Sequence, residues 1–585
     1  MDNNKNVFIA IALSMAVILF WAAFFETPRN DGFIDQQKVS TEQGDSKPVE
    51  TNSSPTINEP LEIKTPIQRE EVIANSDRLE IENSEIKGSI NLTGGIIDDV
   101  SFKNYSTEVE GDKKIDLLNP SETLNGYYIE SGWANIGNKI KVPNTNTKWS
   151  VKGSTKLTSN NPIILEWNND QGITFRKKIE LDEKFLFRIN QEVINNSNNQ
   201  IELYPYAQIV RNKKPDDIQA LYILHEGFIG VFDGELKEDD YDDIEDKKIT
   251  REAENGWLGI TDKYWMTAIV PENNETFKSE FLYNDAFKAN FIQNNPKIIQ
   301  PKQTVNHSVK AFVAAKEVTV IDNYAERENI ERFDLVIDWG WFYFFTQPLF
   351  FIVDYFFKQT GNFGIAIVII TFLVRLLFFP LANYSFKSMA KMKALQPEMT
   401  RLKELHKDDR MKFQQEVMSL YKREQVNPAS GCLPILIQIP FFFAIYKMLF
   451  ISLEMRHQPF FGWIKDLSAQ DPTSAFNLFG LIPWDPPSFL IIGIWPILMG
   501  VTMFIQQKLN PAPADPIQAK IFMFFPIFLT IILAPFPSGL VVYWTVNNIL
   551  TIAQQWFIMK RTKVKKLLKL FKTFFLRIDL IGMIV

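Results

Sequence analysis

Residues 367 to 380 read IVIITFLVRLLFFP. Hydrocarbon offers no partner to a polar group, so only a helix that satisfies its own backbone can carry such a run through a bilayer. Arg375 nevertheless stands inside it. A charge near the centre of a span costs about 2.5 to 3.5 kcal/mol on insertion scales, which makes it a functional signal by default. Snorkelling is the simpler account, but the next polar position, Asn383, lies eight residues on, roughly 12 Å along a helix, further than the side chain comfortably reaches.

Other apolar runs fall at about residues 7–25, 363–381, 433–452, 489–506, 519–533 and 540–559. The first is longer than the core of a cleavable signal peptide and has no clear cleavage site after it, which predicts a retained anchor over 1–26. Residues 27–60 are polar, contain proline and bury too little apolar surface to fold, so they read as a tether. From 61 to 330, short runs such as ITFRKKIELDEKFLFRINQEVIN alternate apolar and polar residues between Asn, Gly and Asp turns. That period predicts an antiparallel β-sandwich. Residues 331–362 are aromatic but interrupted by Gln347, Pro348 and Asp354, as in an amphipathic interfacial helix. A five-helix core then occupies 363–559, including a helical hairpin at 384–427, and a basic tail occupies 560–585. The expected fold is a polytopic α-helical membrane protein of about six transmembrane helices, five forming the core, with an antiparallel β-sandwich outside. The 519–533 run is short for a bilayer and favours local thinning.

The mean hydropathy of -0.10 and net charge of -7 are averages over two unlike halves. Basic residues gather at 387–423 and 560–572, and the loop at 454–488 has few. By the positive-inside rule both termini and the hairpin are cytoplasmic, and the β domain lies outside. Cys432 is the sole cysteine and only His225, His307, His406 and His457 accompany it, which excludes a disulfide and any Cys/His metal constellation. Asp98, Asp99, His225 and His307 read as solvated loop or strand positions without partners. No catalytic residue, metal or cofactor is expected.

Arg375 shares its face with Thr371, Gln438 sits in the third span, and Thr545, Asn548, Thr551 and Gln555 form a polar stripe at helical spacing on the last. Helix-to-helix hydrogen bonding is one reading. Because Arg375, Gln438 and Gln555 fall in the cytoplasmic half, a water-accessible groove closed toward the outside is the other. On the hairpin, Met389, Met392 and Met399 recur at helical spacing, either as a seam between its arms or as an adaptable apolar surface. The basic amphipathic stretch KVKKLLKLFKTFF suits anionic lipid or ribosomal RNA.

The stretches GNFGIAIVIITFLVRLLFFPLANYSFKSMAKMKALQPEM, NPASGCLPILIQIPFFFAIYKML, DLSAQDP and FPSGLVVYWTVNNILTIAQQ together resemble the YidC-type membrane protein insertases of bacterial inner membranes. GWLGITDKYWMTAIVP and DWGWFYFFTQPLF resemble that family's Gram-negative branch, so the likeness covers nearly the whole chain. It implies insertion of newly made hydrophobic segments from the cytoplasm, alone or beside the Sec translocon, without nucleotide hydrolysis. The family's groove arginine, threonine and glutamine match Arg375, Thr371 and Gln438. Its paired aromatic residues match Tyr543 and Trp544, the second departing from the usual tyrosine, and Phe442 would lie on the apolar slide for exiting helices. The implied partners are nascent membrane proteins, the ribosome, the Sec translocon and membrane lipids, with no small-molecule substrate. A solute transporter, which would show inverted repeats, and a membrane-anchored periplasmic carbohydrate-binding protein are the alternatives.

Overall fold

A computed structural model describes residues 67–582, apart from 139, 217, 219–223, 341, 408, 428–432, 485, 488–489 and 512–515. The expected anchor at 1–26 and tether at 27–60 lie outside these residues.

The alternating stretches form two large sheets. One places strands Ile249–Ala253, Phe277–Asn284, Ala286–Gln293, Ile201–Arg211, Tyr127–Ala134, Ile96–Ser106, Ile86–Asn91 and Arg78–Glu82 side by side. The other runs from Ser150–Thr158 through Asn161–Asn168, Ile173–Leu181, Leu186–Asn195, Thr304–Ala315, Trp265–Val270, Gly256–Thr261 and Gly227–Phe232 to Glu235–Asp240. All these ladders are antiparallel, and a short parallel pairing of Glu80 with Lys156 joins the sheets at one edge. Phenylalanines 102, 175, 187, 228, 281, 291 and 312 fill the core.

Residues Ile96 to Phe102 of strand Ile96–Ser106 are covered on both faces, which corrects the reading of its aspartates as solvated. Asp98 pairs with Arg78, and Asp99 with Arg69 from helix α1 (Arg69–Asn75) and with the Ser89 hydroxyl at 2.5 Å. The histidines are likewise engaged. His225 Nε2 lies 2.8 Å from the Phe228 carbonyl, near helix α2 (Tyr241–Asp246), and His307 Nδ1 lies 3.2 Å from Glu272.

Helix α3 (Val318–Arg327) closes the sandwich, and α4 (Tyr343–Thr360) follows. It buries Leu349, Phe350 and Val353 while exposing Tyr343, Phe344, Phe351, Ile352 and Tyr355, so it is apolar on both faces rather than amphipathic. Its Asp354 and Lys358 satisfy one another at 2.7 Å.

Helix α5 (Phe363–Leu377) starts at Asn362, whose side chain accepts the Ile365 N–H, and ends four residues short of the predicted 381. A 68° bend separates it from α6 (Phe379–Ala394). Pro380, in the first turn of α6, marks the break: it has no N–H to give the preceding turn and fits best where a helix begins. Then come α7 (Gln396–Leu405), α8 (Arg410–Arg423), α9 (Leu433–Ile451), α10 (Ile494–Leu509), α11 (Pro516–Leu533) and α12 (Ser538–Gly582). Helix α10 begins later than the predicted 489 because Thr473 Oγ1 and Asp471 Oδ2 accept the N–H groups of Ile494 and Trp495 and fix its first turn there. Helix α12 runs on through the basic tail without a break. Among the described residues no single helix is both long and apolar enough to cross a membrane. The bent pair α5 and α6 passes together, and Gln438–Ile451 and Ala519–Leu533 are shorter apolar stretches.

Polar contacts fasten the helices to the sandwich. Lys447 of α9 donates to Asp338 at 2.7 Å, Arg456 donates to the Ser106 carbonyl at 2.8 Å, and Lys263 lies 3.8 Å over the Phe450 ring. Glu454 accepts the Val318 N–H that opens α3, at 2.7 Å. Burial pushes its carboxyl up to about 7, with the neighbouring Glu317 adding to the shift. A carboxyl whose folded pKa exceeds its unfolded one contributes full stability below the unfolded value, near 4.5, and loses it as pH rises through about 7. Thermal unfolding of the full chain should therefore show stability falling by up to roughly 3 kcal/mol between pH 5 and 8. Glu454→Gln should flatten that slope; an unchanged slope in the variant would assign it to another group.

Candidate functional site

The bend after Leu377 leaves Arg375 one turn from the end of α5, where α9 and α12 also approach. Arg375 Nε donates to Asn547 Oδ1 at 2.8 Å, and Nη2 donates to Gln438 Oε1 at 3.3 Å and to the Asn547 carbonyl at 3.5 Å. Among the described residues no carboxylate pairs with it. A guanidinium is therefore held by three neutral oxygens from two helices, which orient it without cancelling its charge. The amide nitrogen of Asn547 is buried and has no hydrogen-bond partner of its own.

These groups line a cavity of about 40 Å³, room for a few water molecules. Its polar wall is Arg375, Gln438, Tyr543 and Asn547, and its apolar wall includes Val374, Phe378 and Phe441. Local sequence explains the placement. Tyr543 and Asn547 are four apart on α12 and so share a face, while Gln438 enters α9 two residues before Pro440.

Arg375, Gln438 and Tyr543 thus come together from the sequence-derived set, and four others stand apart. The Thr371 hydroxyl is buried and donates to the Ile367 carbonyl of its own helix at 2.7 Å. Trp544 packs edge-on against Phe442 with centroids 4.8 Å apart, and Phe442 in turn faces Tyr446. Asn548 donates to Thr502 at 3.2 Å and Gln555 to Asn510 at 3.0 Å, so both tie α12 to the α10 side instead of lining the cavity. Sequence reasoning passed over Asn547. The stripe through Thr545, Asn548, Thr551 and Gln555 describes the face toward α10, and the i,i+4 relation of Asn547 to Tyr543 was the signal that would have found it.

The hairpin methionines point inward. Met389 and Met392 are buried with Ala382, Phe386, Val426 and Ile558, where α6 meets α12, and Met399 is buried against Val417 and Leu420 in the seam between α7 and α8. The first arm is broken at Leu395, ahead of Pro397, which is why the methionines divide between two clusters.

Comparison with known proteins adds three kinds of likeness. The family model described as YidC periplasmic domain matches residues 78–352, and that described as 60Kd inner membrane protein matches residues 355–566. Among curated relatives, a membrane protein insertase YidC from Pelagibacter ubique (strain HTCC1062) is 52% identical over 563 residues, covering 96% of this chain and 100% of the relative. Another from Brucella suis biovar 1 (strain 1330) is 44% identical over 593 residues, covering 97% of each. A solved structure described as an active YidC insertase with its first transmembrane domain resolved is 17% identical, with a TM-score of 0.35, covering 81% of this chain and 91% of that one.

The two adjacent asparagines separate by role in a stability test. Asn547→Leu leaves a guanidinium nitrogen without its acceptor and should cost about 1.5–3 kcal/mol, whereas Asn548→Leu removes one neutral hydrogen bond and should cost about 1 kcal/mol. Thermal denaturation of the two variants in lipid nanodiscs checks the order; equal losses, or the reverse, would mean that Asn547 does not hold the arginine.

Proposed function

The chain belongs to the YidC family of membrane protein insertases, and from that premise we propose that the Arg375 cavity takes hold of the polar flank of a segment being inserted. The protein is an inner-membrane insertase with a periplasmic β-sandwich and acts on nascent membrane proteins. That membership sets aside the transporter and the carbohydrate-binding readings.

The observation that carries the proposal is the neutral solvation of Arg375 by Asn547 and Gln438. A carboxylate neighbour would have produced a closed ion pair. Amide oxygens leave the positive charge available to an acidic side chain or a peptide carbonyl of the substrate. A polar flank carried alone into hydrocarbon costs several kcal/mol per unpaired group; a wet, hydrogen-bonding cavity part-way across removes much of that barrier. The apolar segment leaves past Phe442 and Trp544 into lipid. In this reading both termini and the α7–α8 hairpin face the cytoplasm, and the ribosome and the Sec translocon are the partners that deliver substrate. The basic end of α12 lies against ribosomal RNA or anionic lipid.

Site-specific photocrosslinking of a ribosome-bound, single-span nascent chain tests the path. Probes at Gln438, Phe441 and Tyr543 should crosslink in a length-dependent way, well above probes at the exposed apolar positions Phe372 and Phe528. Equal labelling at both sets would remove the cavity from the route. Charge reversal tests the chemistry: Arg375→Glu should slow insertion of acidic-tailed substrates by roughly tenfold, about 1.4 kcal/mol, and that of neutral-tailed ones much less. Equal losses would assign Arg375 a structural role only.

A further inference from the structure

Three side chains that no sequence spacing relates meet at one end of the β-sandwich. Glu272 and Glu275 belong to the turn between strands Trp265–Val270 and Phe277–Asn284, and His307 belongs to strand Thr304–Ala315. One ligand atom from each lies within 4.8 Å of the others. Asn274, with φ of 63°, adopts the left-handed conformation that reverses the turn between the two glutamates.

The His307 ring carries the argument. Its side chain is wholly buried, Nδ1 lies 3.2 Å from Glu272 Oε2, and Nε2 has no hydrogen-bond partner among the described residues. An unmet polar atom in the interior is costly. A cation bound at Nδ1 beside the Glu272 carboxylate would fix the remaining ring proton on Nε2. The atom set, one imidazole nitrogen and two carboxylate oxygens with access from solvent on the glutamate side, is a zinc-type donor set with an open position. The second shell is also in place. Gln191 stands directly across from His307 in the ladder, is buried, and leaves both atoms of its amide unpartnered. Its oxygen is the kind of acceptor that orients the remaining ring N–H of a metal-bound histidine. Against the ion stands Lys297, which pairs with Glu275.

We propose that Glu272, Glu275 and His307 form a binding site for a zinc-class divalent cation on the periplasmic domain, with Lys297 competing for Glu275 until the ion displaces it. The bound ion pins the 271–276 turn to strand Thr304–Ala315.

Background binding is small, because the chain offers only three further histidines and one cysteine. Untagged full-length protein in detergent, titrated with zinc in a calorimeter, should bind one equivalent at this site. His307→Gln and Glu272→Gln should each weaken binding by about tenfold or more, and Lys297→Met should tighten it severalfold. Glu272 is partly exposed, so its variant reports on the ion even where the buried histidine variant folds poorly. Absence of saturable binding, or an affinity unmoved by Glu272→Gln but lost in Cys432→Ser, would overturn the proposal and leave His307 as a structural neighbour of Glu272.

Discussion

The helical core is organised around a guanidinium that has to be solvated where the surroundings are apolar. Arg375 has no carboxylate to meet among the described residues, so α9 and α12 must both bring amide oxygens to it. That requirement fixes the approach of three helices at one level. Hydrogen bonds from Arg375 to Asn547 at 2.8 Å and to Gln438 at 3.3 Å close the arrangement on one side. The opposite face of α12 is then free to bind α10 through Asn548 and Gln555, so one helix serves both as a wall of the cavity and as a strut. The bend before Pro380 completes the opening by turning α6 away from the axis of α5.

One fastening of the helices to the β-sandwich uses the opposite electrostatic solution. Lys447 is answered by the Asp338 carboxylate, so its charge is satisfied within the fold, whereas Arg456, like Arg375, donates to neutral oxygens, the carbonyls of Ser106 and Thr107. Asp338 also accepts the N–H of Gly340 at 2.9 Å, which ties the start of the α4 region to the same joint. Closed polar networks of this kind rigidify a structure, whereas the open one at Arg375 keeps donor capacity for something that comes and goes. The contrast between Lys447 and Arg375 is one between a closed charge pair and a charge held by neutral oxygens.

Much of this was legible in the sequence because membrane constraints are severe. Arg375 and Gln438 stand out as polar intrusions, and period-two runs announce the sandwich. The misreadings have a common cause: sequence periodicity says which residues share a face, not which neighbour that face meets. Asn548 belongs to an evident stripe, yet the stripe faces α10, and Asn547, one residue earlier, faces the arginine. Met389 and Met392 show a helical period compatible with an exposed surface, but the break at Leu395 turns them against Ile558. Asp98 and Asp99 looked solvated because alternation assumes one wet face, and the part of their strand from Ile96 to Phe102 has none. His307 lies more than thirty residues from Glu272 and Glu275, so their meeting depends on strand order alone. The end of α5 was the most local failure, since Pro380 already marks it by a known backbone rule.

The strength of the hold on substrate decides whether such a cavity can serve an insertase at all. Two opposite charges about 4 Å apart attract by about 4 kcal/mol at an effective dielectric of 20, and by about 1 kcal/mol in water. A water-holding cavity lies between these limits. Moving one leucine or phenylalanine side chain out of water is worth about 1.5–3 kcal/mol, so two or three such residues entering lipid outweigh the attraction of Arg375 for one carboxylate. On the proposed reading the apolar segment of the substrate would supply the release, with no chemical energy source needed to break the contact. A buried carboxylate beside Arg375 would remove the capture, and a dry, low-dielectric cavity would make it too strong to reverse. Neutral amides around a wet arginine satisfy both conditions.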